Sequence, residues 1–196
     1  GSGSAVTINC DDGATITATA PSDGANARHR FSPLSTTWTF TCNVTNDSNT
    51  HYSQQRLSVR YTLTGGGSPT APAITRTVLG SSGTTTLTQS AADLWVDAGT
   101  SWSTTDPLSG GSSSERWDAN SGTSGTASAG GSVNPEYFHQ YACTCSYSVS
   151  GGGSPTAPTF NGQRYGTAAA DTLSTSAATI WVDNSFAWSI TPNPLT

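Results

Sequence analysis

Residues 61–102 and 147–188 align without a gap at an offset of 86, and 19 of the 42 aligned positions are identical. The first copy reads YTLTGGGSPTAP, then LWVD and Trp102; the second reads YSVSGGGSPTAP, then IWVD and Trp188. In a chain of 196 residues this means two copies of one small unit, each near the lower size at which β layers bury a core. The shared tract, residues 65–72 and again 151–158, holds a glycine run and two prolines. It offers free φ, then fixed φ without an amide donor, as a shaped connection between strands does. The offset continues upstream, where Tyr52-Ser53-Gln54 faces Phe138-His139-Gln140 and Arg30-Phe31 faces Arg116-Trp117. On this phase residues 28–108 form one domain, 109–115 a Gly/Ser linker, 116–196 a second domain, and 1–27 an N-terminal extension.

Within the first unit Trp38, Phe40, Cys42 and Val44 alternate with polar residues, as do Leu57, Val59, Tyr61 and Leu63. A period of two predicts half-buried strands. In the second unit Tyr141, Cys143, Cys145, Tyr147 and Val149 share one strand face. Ser and Thr make up 63 residues against 10% charged ones, a composition that suits pleated strands and competes with helix. About six short strands per unit predict an all-β chain of two Ig-like β-sandwich domains in tandem, with an N-terminal extension strand. Trp95 and Trp181, Trp102 and Trp188, and Leu87 and Leu173 recur at equivalent points and are expected in the core.

A formal charge of −5, with every basic residue an arginine, leaves no positive stripe for nucleic acid. The absence of Lys also excludes lysine isopeptide crosslinks. No run approaches the ~20 apolar residues of a membrane helix, so no membrane insertion is expected of the mature form. A chain without Met, even at position 1, is read as having lost a leader. Four cysteines, Cys10, Cys42, Cys143 and Cys145, favour disulfides over a metal site, with the pairing open. Cys143 and Cys145 lie two apart on one face, near the limit of a direct bond, and Cys10 could instead join a neighbouring subunit. His29, His51 and His139 stand without a nucleophile elbow or a zinc-protease helix, and Asp97 and Asp183 read better as turn caps than as an aspartic dyad. Asp11, Asp12 and Asp23 match no calcium loop. No catalytic residue, cofactor or metal ligand is assigned.

Residues 1–27 carry two alternating runs, one with Val6 and Ile8 and one with Ile16 and Ala18, and no counterpart in the second copy is assigned to them. They either fold as a hairpin on the first unit or leave the subunit as a donor strand that completes a sheet in the next. If the segment around Arg116-Trp117 closes the first unit, the second ends one strand short. Asn43 and Asn46 begin two N-glycosylation sequons beside a predicted turn, where covalent glycans would be exposed.

Glu115-Arg116-Trp117, Tyr137-Phe138-His139-Gln140-Tyr141, the tract 151–158 and Trp181-Val182-Asp183 resemble repeats of surface proteins from thermoacidophilic archaea. Similar repeats accompany thermopsin-type peptidases, but they are not the catalytic domain. The two-unit chain resembles subunits of archaeal extracellular threads and adhesion pili. That resemblance implies Ig-like subunits joined head to tail by donor-strand exchange, glycosylated, in a cell-surface appendage. The expected function is therefore a structural subunit of an extracellular filament serving adhesion or cell-cell contact, with other copies of itself as partner. The alternatives are a non-polymerising two-domain adhesin or binding module, and an S-layer or peptidase accessory domain.

Overall fold

The structure is a computed structural model and describes residues 15–19, 29–33, 37–41 and 51–192. Among the described residues it is all-β: strands, turns and no helix. In chain order the strands are β1 (Thr15–Thr19), β2 (His29–Pro33), β3 (Thr37–Thr41), β4 (His51–Val59), β5 (Thr62–Thr64) and β6 (Ala73–Val78). There follow β7 (Ser81–Thr86), β8 (Ala92–Asp97), β9 (Ser101–Thr104), β10 (Leu108–Ser112), β11 (Glu115–Ala119) and β12 (Ser124–Thr126). The last six are β13 (Ser132–Val133), β14 (Glu136–Cys145), β15 (Thr159–Arg164), β16 (Thr167–Thr172), β17 (Ala178–Asp183) and β18 (Ser189–Thr191).

The 86-residue offset is reproduced in the hydrogen-bonded register. β4 lies between β2 and β8 with Gln54 opposite Asp97, and β14 lies between β11 and β17 with Gln140 opposite Asp183. β6 pairs with β7 and β9 as β15 pairs with β16 and β18. Thr-rich β7 is exposed along most of its length, the outward face expected of hydroxyl-bearing strands in a layered β fold.

The repeats differ in how they are buried. The larger cluster gathers Leu57, Val59, Tyr61, Ile74, Leu87, Val96 and Leu108 with Trp117, Ala127, Val133 and Tyr137 from beyond residue 108. Among the described residues the smaller holds Phe160, Leu173 and Ile180 as buried members. Residues 109–115, read from composition as a linker, lie in the β10–β11 hairpin. There Ser109 accepts from the Thr70 amide at 2.8 Å, and Gly110 (φ 110°) passes over the Pro69 backbone. The small residues serve close backbone approach as well as a turn.

The N-terminal strands also fall into the repeat. β1 is the positional counterpart of β9, and β3 precedes β4 as β12 precedes β14. β1 pairs antiparallel with β3, as β9 does with β12, although the register differs by one residue: Phe40 faces Ile16, where Gly125 faces Trp102. Residues 15–19, placed above in an extension without a counterpart, therefore match the last strand of a unit.

Candidate functional site

The first repeat is closed by chain that returns from beyond it. After β11, β12 pairs with β9 along Ser124 to Ser103, Gly125 to Trp102 and Thr126 to Ser101. The chain then runs parallel to β4 and β5. The Ser58 amide donates to Gly131 at 3.1 Å, Arg60 to Val133 at 2.9 Å and Thr62 to Pro135 at 3.1 Å, and β5 continues beside β14. This return places Ala127 and Val133 in the core, 3% and 1% exposed. Its glycines are forced by contact: a Cβ on Gly125 would lie 2.7 Å from the Trp102 ring, and one on Gly131 would lie 2.9 Å from Leu57 Cδ2.

At the same place the second repeat is open among the described residues. Trp188, counterpart of Trp102, is 60% exposed and stacks on Phe160 with centroids 5.7 Å apart; Phe186 and Ile190 on the same alternation are exposed too. Behind them lies a groove of about 490 Å³ lined by Cys143, Cys145, Phe160, Leu173, Trp188 and Ile190. Cys143 and Cys145 stand where Leu57 and Val59 are buried in the first repeat. Both are free thiols in the single chain, not joined to each other. Across β17 they face Ile180 and Ala178, which offer no sulfur. Burial raises the Cys145 pKa, with Cys143 and Asp171 adding, which keeps the thiol protonated and weakly nucleophilic.

A second shared feature organises each repeat. Asp97 accepts from Gln54 Nε2 at 2.9 Å, the Leu79 amide at 3.0 Å and the Gly80 amide at 2.7 Å. Asp183 accepts from Gln140 Nε2 at 2.8 Å, the Tyr165 amide at 3.0 Å and the Gly166 amide at 2.7 Å. Each carboxylate thereby ties the end of one strand to a hairpin turn in another sheet. Leu79 and Tyr165 are held at φ 52° and 53°, a conformation in which a non-glycine residue needs such support. The Asp of Trp-Val-Asp is a turn clamp, as its place at a strand end suggested.

The glycine tract of the first repeat docks on the second. Trp117 Nε1 donates to Gly66 O at 2.9 Å, and a side chain on Gly67 would run into the Trp117 ring. His139 stacks on Trp117 at 4.3 Å, with its ring nitrogens 3.1 Å from Gly65 O and 2.7 Å from Glu115 Oε1. Asn184 Nδ2 donates to the same Gly65 carbonyl at 2.8 Å. The second tract has nearly the same shape, with φ of 84°, 81° and 98° at Gly151, Gly152 and Gly153, yet added Cβ atoms there would meet nothing within 4 Å. Among the described residues its docking face is bare.

Of the residues singled out in the sequence, Ile16 and Ala18 lie in β1, opposite Phe40 and Trp38 of the same chain. Val6, Ile8, Cys10, Cys42, Asn43 and Asn46, with Asp11, Asp12 and Asp23, lie outside the described residues. The groove itself was not assigned from the sequence. Its signal was the replacement of Leu57 and Val59 by Cys143 and Cys145 at equivalent strand positions. No known family matches this chain, and neither a curated protein nor a solved structure does.

Proposed function

We propose that the chain is a structural subunit of an extracellular filament, two Ig-like sandwiches in tandem, polymerised head to tail by β-strand complementation and serving adhesion or cell-cell contact. One observation carries this reading: the first repeat is filled by returning strands, whereas the equivalent groove of the second is open and rimmed by Phe186, Trp188 and Ile190. An apolar groove beside unpaired strand edges favours an added strand, whose backbone bonds give affinity and whose alternate side chains fill pockets. A head-to-tail contact that does not close on itself makes a fibre. Glycans at Asn43 and Asn46 and a place on the cell surface belong to the same reading. Electron microscopy and sedimentation of the purified full chain test it: long fibres are expected, and monodisperse monomers across salt and pH would overturn it.

A further inference from the structure

We infer that the strand entering the groove is β3 of a second copy, and that it binds the outer edge of β18 in place of its own β1; this rests on the filament reading above. The chain carries its own template for the junction. β12, which lies just before β14, returns to cover β9; β3 lies just before β4, and β18 is the counterpart of β9. β1 is a further counterpart of β9, and β3 is paired with it. Within one copy, β1 thus stands where the last strand of a preceding unit would stand, and β18 of a neighbour can replace it.

Register makes the inference specific. Carrying the β1–β3 pairing forward by two repeats sets Phe40 opposite Trp188 and Trp38 opposite Ile190. Both acceptors are among the large apolar side chains that the second repeat leaves exposed, at 60% and 39% for Trp188 and Ile190. In the first repeat the small donor residues Gly125 and Gly131 lie against Trp102 and Leu57. In the second, Cys143 and Cys145 stand in place of Leu57 and Val59, which leaves a wider groove for an entering strand. The free glycine tract at 151–153 then faces β2 of the incoming copy, where Phe31 holds the place of Trp117.

Adjacent amides in a strand point to opposite edges, so two consecutive prolines remove a donor from each edge whichever one pairs. Sedimentation and negative-stain images of three full-length chains test the donor: unchanged, Trp38→Pro/Thr39→Pro, and Ile16→Pro/Thr17→Pro. Near-ultraviolet circular dichroism checks that both cores persist in each. The β3 variant is expected to retain less than about a tenth of the polymer, because its ladder bonds are lost. The β1 variant is expected to polymerise at least as readily as the unchanged chain, since β3 is no longer held at home. If the unchanged chain polymerises and either the β3 variant still does so or the β1 variant does not, β3 is not the donor and the filament reading stands. If none of the three polymerises, the filament reading itself falls.

Discussion

Asp97 and Asp183 each satisfy three donors while themselves buried, 6% and 4% exposed. Asp97→Ala leaves the Leu79 and Gly80 amides and the Gln54 side chain without that acceptor, a loss of about 2–4 kcal/mol measurable by urea unfolding. Asp97→Asn keeps one acceptor oxygen and is expected to cost less. Tyr165 shows the opposite use of a carboxylate: its hydroxyl donates to Asp118 Oδ2 at 2.6 Å, and burial followed by that partner pushes its pKa up to about 12. Because the folded value lies above the unfolded one, the contribution is full below the unfolded pKa, near 10, and is lost as pH rises from there through about 12. Spectrophotometric titration should therefore find a late phenol that disappears in Tyr165→Phe. The turn role of these Asp residues was legible from Trp-Val-Asp at a strand end. Their partners were not, because Leu79 and Tyr165 lie 18 residues away and in another sheet.

The two glycine tracts, identical in sequence and nearly so in backbone, separate intrinsic conformation from docking. Gly67→Ala meets both an unfavourable positive φ and the Trp117 ring, whereas Gly153→Ala meets the positive φ alone. The first is expected to destabilise by about 3 kcal/mol and the second by about 1 kcal/mol, compared by denaturant midpoints of the monomer. Equal losses would mean that the Trp117 contact contributes nothing. The alternating runs made the β class and many strands readable, β4, β8 and β14 among them. The β10–β11 hairpin was not readable, because Gly and Ser that permit backbone crossing have the same composition as Gly and Ser that make a linker.

For the molecule as a whole the contrast is between two equivalent tryptophans. Trp102 packs against the larger core beneath Gly125, and Trp188 lies open on the groove rim. Iodide should quench part of the monomer's tryptophan emission, and Trp188→Phe should remove most of that accessible fraction while Trp102→Phe should not. If the chain polymerises as proposed, the accessible fraction should fall, since the entering strand would cover Trp188. Quenching that is unchanged between monomer and fibre would place the subunit contact elsewhere.

The sequence by itself determined the period of the chain, its all-β character and the kind of residue that would be buried, because alternation and self-similarity are local properties readable one segment at a time. Only the tertiary structure decided which segment fills which unit. A returning strand is attached through long-range pairings, β12 to β9 and β13 to β4, that leave no mark in the residues between them. For that reason the same 86-residue repeat yields one closed core and one open groove.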